Sequence, residues 1–264
     1  MKYRLQIIKT NIINTFQHET AYFAENWSNL LSTISYTLVL LLFLNVLYSN
    51  IKEFAGYNKD QMMFLVFIGQ LGFFTGWGLF AENNYFLNED IQTGKFDFIL
   101  IKPVPSLFFV TFRWFPIVSM LRDSVPVILI IYFSVNWSAL TFVASNIAWG
   151  IFIFICGQIL WHAVRFLLVL PAFWFGNAKA VSSIAYALSE THNIPLEGYT
   201  QNLRILFTTV VPIIILAEVS GSVMLGKSNG PIMALWALLV TIAFIFIINV
   251  VWKYALRNYT SASS

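Results

Sequence analysis

Cysteine and charge are both scarce in this chain of 264 residues. A single cysteine, Cys156, can form no disulfide within the chain and supports no cysteine-rich metal site. The histidines His18, His162 and His192 are far apart, and neither a His-x-x-x-His nor a Cys-x-x-Cys spacing occurs, so no metal centre is expected. Gly-x-Ser-x-Gly and His-Glu-x-x-His are also missing, which removes two hydrolase signatures. Charged residues make up 10% of the chain, against about 25% in soluble domains, too few to cover a globular surface. With 15 Lys and Arg against 12 Asp and Glu, the net charge of +3 is too small for a nucleic-acid partner.

What is abundant is apolar. Hydrophobic residues make up 58%, including 26 Phe and 9 Trp, a composition suited to lipid contact and interfacial belts. The first apolar run starts near Ser28, later than the short polar start of a cleaved signal peptide, and is read as a retained anchor. A bilayer span needs about 20 mostly apolar residues. By that measure Ser28–Ile51 and Gln61–Ala81 are the first two spans. The third must start near Phe115, before the turn Asn136-Trp137-Ser138, and so carries Arg122 and Asp123 into the membrane. The fourth is Ala139–Trp161, the fifth Phe166–Leu188, and the last Pro231–Trp252. The run Ile205–Ala217 is too short to cross comfortably and contains Pro212, with Glu218 after it; a full crossing there would make seven spans and move the C-terminus outside. Residues 203–226, within a polar outer region of 189–230, therefore read as a re-entrant hairpin, which needs protein or a watery cavity to shield its backbone.

The fold class expected is thus an all-α integral membrane protein of about six transmembrane helices, forming one domain over residues 28–257 with a short tail at 258–264. Residues 1–27 form a separate element. Leu5, Ile8, Ile12 and Phe16 recur at helical spacing beside Lys2, Arg4 and Lys9, as in an amphipathic helix lying on a bilayer. Six crossings put both termini on one side. Lys2, Arg4, Lys9, Lys95, Lys102, Arg113, Arg165, Lys253 and Arg257 lie on that side, against Lys52, Lys59, Arg204 and Lys227 on the other. The bias places the termini and the charged connection 82–113 in the cytoplasm of a cell-membrane protein.

Several polar features are candidates for function. Arg122 and Asp123 each cost about 2.5–3.5 kcal/mol at the centre of a span. Adjacent residues point about 100° apart on a helix, which makes them poor partners for each other. They line a pathway or lock helices together, or they sit in the headgroups at the start of a later span. Lys179 and Glu218 read as residues reaching for an interface. Gly72 and Gly76 form a small face for close helix packing. Gly221-x-x-x-x-Gly226-Lys227-Ser228 matches a phosphate-binding loop, but it follows an apolar membrane segment and is broken at once by Asn229-Gly230-Pro231. A true loop of that type follows a buried strand and opens a helix, so a turn leading into the last span is the better reading. In the connection, Gly94 can end a helix in the left-handed conformation. Asp97 can cap a new short helix. Phe98, Ile99, Leu100 and Ile101 supply an apolar plug, and Pro103 stops it. Such a helix should not stay in water, and Glu89, Asp90 and Asp97 disfavour an anionic membrane surface, so it should dock in a protein groove.

The run from Glu89 to Pro103, with Ile91, Gly94, Phe96, Asp97, Leu100, Lys102 and Pro103 in register, resembles a stretch of permeases of the type-2 ATP-binding-cassette exporters. Phe173-Trp174, Ile194-Pro195, Leu203-Arg204, Val211-Pro212 and Leu225-Gly226 follow that family's order further on, although Ile194 stands where an aromatic is common. The resemblance implies a surface helix, six spans, a cytoplasmic coupling helix and a re-entrant outer hairpin. It also implies a cytoplasmic ATPase subunit on another chain, which holds ATP and Mg, and a second permease half, the same or homologous. No cofactor is then expected on this chain, and Glu89, Asp90, Gly94, Asp97, Phe98 and Pro103 are the expected contacts with the ATPase. A hydrophobic or amphipathic cargo would suit the Phe- and Trp-rich spans. The alternatives are a membrane-embedded enzyme using Arg122, Asp123 and His162, and a binding or assembly component not coupled to ATP.

Overall fold

The computed structural model describes residues 2–21, 27–176, 184, 195–212 and 215–260. Among them every regular element is helical, apart from one isolated antiparallel bridge between Phe54 and Tyr57. The helices are α1 Lys2–Ala21, α2 Trp27–Asn50, α3 Lys59–Gly76, α4 Glu82–Thr93, α5 Asp97–Leu100, α6 Ser106–Thr111 and α7 Ile117–Ser134. They continue as α8 Ala144–Val169, α9 Ala172–Phe175, α10 Gln201–Ile205, α11 Glu218–Met224 and α12 Gly230–Asn258.

Five helical stretches among the described residues are long and apolar enough to cross a membrane: Trp27–Asn50, Lys59–Thr93, Ile117–Ser134, Ala144–Phe175 and Gly230–Asn258. The first, third and last match the expected spans closely. The second is longer than expected. Asn58 and Gln61 form a reciprocal capping box that starts α3, with Gln61 N–H donating to Asn58 Oδ1 at 3.0 Å. No proline then occurs before Gly94 and the glycines between keep helical backbone, so α3 runs through a π-helical segment, Trp77–Ala81, straight into α4. The first part of the charged connection is therefore helix, not loop.

The fourth span also differs. It starts at Ala144, because Trp137–Ala139 form a 3-10 turn, and it does not stop at Trp161. No proline or glycine lies between Trp161 and Pro171. Arg165, which marked the expected break, is instead held against aromatic faces, 4.3 Å from the Trp161 ring centroid and 5.6 Å from that of Trp77. The start of the expected fifth span is thus the end of this helix. Residues 177–183 and 185–188 of that span, with Lys179, and the stretch with Glu190, His192 and Ile194 lie outside the described residues.

After Pro195 the described residues form two arms, 195–212, largely exposed, and 215–227, largely buried among the spans. Leu216 sits beside Gly72 of α3 and Gly157 of α8, about 20 Å along each helix at 1.5 Å per residue. From there the chain climbs back: Ser220 and Met224 lie at Gly150, Gly226 lies at Asn146, and Lys227 donates to the Gly56 carbonyl at 2.6 Å in the α2–α3 loop. The other arm runs alongside, where Leu196 N–H donates to the Glu218 carboxylate. The described arms thus meet deep among the spans at Glu218, and the returning arm ends beside the α2–α3 loop. Glu218 serves this hairpin rather than an interface. A Cβ at residue 157 would lie 2.6 Å from the Leu216 Cα, so only glycine lets the two backbones approach this closely.

α8 is central, packed on α12, α11 and α3. α2 and α12 are much less covered, and Leu42, Val46 and Phe246 point outward, as lipid-facing positions do.

Candidate functional site

The sequence candidates gather at the end of the molecule where α1, α4, α5 and the start of α7 meet. α4 ends at Gly94, whose φ of +74° is the left-handed conformation expected of it. The Phe96 N–H then donates to the Asp90 carbonyl at 3.1 Å, which turns the chain back. α5 follows, but Asp97 is its first residue and not its cap. The cap position is Phe96, with no side-chain hydrogen bond. The reason is packing: Phe96 is drawn into a core with Phe173 at 5.2 Å, Trp252 at 6.0 Å and Tyr259 at 5.1 Å between ring centroids, which fixes where the helix begins.

The expected apolar plug is split in two. Ile99 is buried beside Phe96 in the core of α8, α9 and α12, while Phe98 is 67% and Ile101 79% exposed, with Leu100 also exposed. Pro103 is exposed just beyond. The short helix is thus anchored on one face and presents a bare apolar face on the other.

The acidic residues take different roles. Glu89 makes an exposed ion pair with Lys95 at 3.8 Å, of the kind worth little. Asp90 instead forms a largely buried ion pair with Arg113, whose guanidinium also lies 5.3 Å from the Phe86 ring centroid. Asp90 therefore ties α4 to the segment leading into α7, and its carboxylate is not presented outward.

Residues that sequence reasoning passed over complete this assembly. Asn83, buried in α4, pairs reciprocally with the backbone of Trp114, donating to its carbonyl at 2.8 Å and accepting from its N–H at 2.9 Å. Glu19 of α1 accepts from the Val118 N–H at 2.9 Å and the Ser119 N–H at 3.1 Å, which caps the N-terminus of α7 with a carboxylate. Asn11 donates to the Phe112 carbonyl at 3.0 Å, and His18 meets the Trp114 ring edge-on at 5.2 Å. The polar stripe of α1 is thus its protein face, and Leu5, Ile13 and Phe16 remain exposed. The only hint in the sequence was the i, i+4, i+8 spacing of Asn11, Thr15 and Glu19.

Arg122 and Asp123 both lie inside the α7 helix, one turn past its start. They bind each other, against expectation: Arg122 Nε donates to Asp123 Oδ1 at 2.7 Å and Nη2 to Oδ2 at 2.9 Å. The arginine side chain is long enough to curl across the 100° between the two positions, and a bidentate pair offsets much of the cost of both charges. Arg122 is 6% exposed and Asp123 19%, facing a groove between α2 and α3.

His162, the third member of the enzyme alternative, is buried and stacked on Phe80 at 4.4 Å. The phosphate-loop lookalike is a helix end: Gly226, at φ +71°, closes α11 rather than opening a helix, and the Lys227 amine is engaged by the Gly56 carbonyl and the Tyr57 ring. Among the described residues no group of three or more His, Cys, Asp or Glu could hold a metal ion.

Five helical stretches long and apolar enough to cross a membrane mark a multi-pass membrane protein. Over residues 34–263, most of its length, the sequence matches the family described as ABC-2 family transporter protein, and the chain belongs to that family. It serves as a transport permease, and membrane subunits of this family generally pair with an ATPase subunit. No curated protein and no solved structure matches the chain.

Proposed function

We propose that this chain is one permease half of an ATP-driven exporter in the cytoplasmic membrane, with its termini in the cytoplasm. A separate cytoplasmic ATPase subunit holds ATP and Mg, and a second permease half, the same or homologous, completes the pathway. The cargo is hydrophobic or amphipathic. The observation that carries this reading is the exposed apolar face of α5, Phe98, Leu100 and Ile101, on a helix whose other face is buried. An exposed apolar patch of this kind marks an interaction site. Its anchoring through Phe96 to Phe173 and Trp252 would carry a push on α5 directly into α9 and α12. Glu89, Asp97 and Pro103 flank the patch and belong to the same contact. Gly94 and Asp90 shape the turn that presents it.

The test is co-purification of the chain with its ATPase and ATP-driven transport by the pair. Phe98→Asp or Ile101→Asp places a charge in the apolar contact. Each is expected to release the ATPase, or to leave hydrolysis running without transport, while the chain still inserts. If both variants hold the ATPase and transport at the unmodified rate, α5 is not the coupling surface.

A further inference from the structure

The second span runs as one helix from Lys59 to Thr93 and departs from α geometry at the π turn Trp77–Ala81. A π turn, bonded from i to i+5, holds one residue more than an α turn, and helices bend at such turns. Neighbouring helices grip it closely. From α8, Gln158 Nε2 donates to the Gly72 carbonyl at 3.0 Å and to Thr75 Oγ1 at 2.8 Å, just before the turn. One turn further along α8, Trp161 fills the space that Gly76 leaves, since a Cβ there would lie 2.8 Å from its ring. His162 beside it stacks on Phe80. From α7, the flexible Met120 side chain fills the space at Gly78.

The same turn is flanked by polar groups that lack bonds. Gln158 Oε1, His162 Nδ1 and both amide atoms of Asn84, in the first turn of α4, are buried with no hydrogen-bond partner. The three residues are 8%, 9% and 4% exposed. Such atoms cost free energy for as long as this conformation lasts, and apolar side chains of similar shape would not.

We propose that Trp77–Ala81 is a hinge: a displacement of α5 swings α4 against α3 at this turn, and Asn84, Gln158 and His162 gain in the swung state the bonds they lack here. This rests on the permease reading above and places within the second span the motion which that reading requires. The fixed and moving sides are distinct. α3 is held by the Asn58–Gln61 box at its start and by Gln158 near its end, whereas α4 leads through Gly94 into α5. Between them Gly76 and Gly78 carry no side chain to unlock, and a stacked ring and a methionine are contacts that slide rather than interlock. Bonds gained in the swung state offset the repacking, which keeps the two arrangements close enough in free energy for a bound ligand to shift their populations.

The test uses the full chain with its ATPase in phospholipid nanodiscs, with spin labels on pairs of cysteines. Native Cys156 is buried and takes no label. Lys59, Tyr85 and Ile151 are exposed on α3, α4 and α8. Pulsed electron resonance reads the pair Lys59→Cys with Ile151→Cys on one side of the hinge, and Tyr85→Cys with Ile151→Cys across it. ATP with vanadate should shift the 85–151 distance and leave the 59–151 distance unchanged. Asn84→Leu removes an amide that is bonded only in the swung state. It should raise the melting temperature by about 2–4 °C, yet lower transport per ATP hydrolysed by about fivefold or more. A residue with a structural role alone would not part stability from coupling in that direction.

The proposal is overturned if both distances shift together or neither shifts. It is also overturned if Asn84→Leu lowers stability, which would mean that the amide is satisfied as it stands, or if it leaves coupling unchanged. The distances are read without any substitution in the hinge, so they decide even where Asn84→Leu fails to insert. Failure of the hinge on a chain that holds its ATPase leaves the permease reading intact. A chain that holds no ATPase removes that reading, and the hinge is then read on the chain alone. There the 85–151 distance should be spread more widely than 59–151 and should narrow in Asn84→Leu, and equal spreads overturn the hinge.

Discussion

Glu19 caps a helix whose amides lie 99 and 100 residues further along the chain. Removing that carboxylate leaves two amides of the α7 N-terminus without their partner. Glu19→Ala should destabilise the docking of α1 by about 0.5–2 kcal/mol, the range for a lost N-cap. Faster limited proteolysis within α1 at unchanged insertion is the expected sign. At the Arg122–Asp123 pair the argument is one of balance. Arg122→Leu strands a carboxylate in the third span and should cost about 3–5 kcal/mol, whereas the double change Arg122→Leu with Asp123→Leu should recover most of it. Thermal unfolding of the two variants in nanodiscs decides this. Equal losses would mean the pair contributes through something other than mutual neutralisation. Lys227→Ala should leave ATP-driven transport nearly unchanged, since the amine only holds the hairpin to the α2–α3 loop.

At the scale of elements, the hairpin depends on how closely it approaches α8. Gly157→Ala places a methyl group against the Leu216 backbone, so it must push the hairpin out rather than rotate a side chain away. Hydrogen exchange in Glu218–Met224 should rise while that in α2 stays unchanged. The same change at Gly176, where nothing lies within 4 Å but φ is +70°, would strain the backbone only. A re-entrant path would have a topological consequence. Cysteines placed at Lys227 and Gly56 should react with an impermeant thiol reagent from one side of the membrane, and a cysteine at Ile101 from the other. Native Cys156 is buried and should stay silent. Labelling of positions 56 and 227 from opposite sides would mean that the segment crosses.

For the whole molecule, α5, α4, α1 and the start of α7 act as one body, because Phe96, Asp90, Asn83 and Glu19 each tie two of its parts together. A displacement at α5 cannot stay local in such a body, and it passes into α12 through Trp252 and into α7 through the 111–119 segment. A change that loosens this body without touching the exposed face, such as Asn83→Leu, should therefore lower transport per ATP hydrolysed while the ATPase still co-purifies. A proportional loss of both would place Asn83 in stability alone.

The membrane class, the first, third and last spans and the left-handed turn at Gly94 were legible in the sequence. Each depends on a local property: the length of an apolar run, the presence of a proline, or the conformational freedom of a glycine. The family's motif order was legible for the same reason. Tertiary structure decided the rest, because it turned on partners distant in the chain. Charge suggested ends at Glu82 and Arg165, yet both residues lie within continuous helix, since aromatic faces and buried neighbours hold what a bare hydropathy count would expel. Asp97 lost the cap position to Phe96 because burying an aromatic ring outweighs one hydrogen bond. Asp90 turned inward because Arg113, 23 residues away, was there to meet it. A hydrophobic pattern specifies that a residue must be buried or paired, and only the packed chain specifies with what.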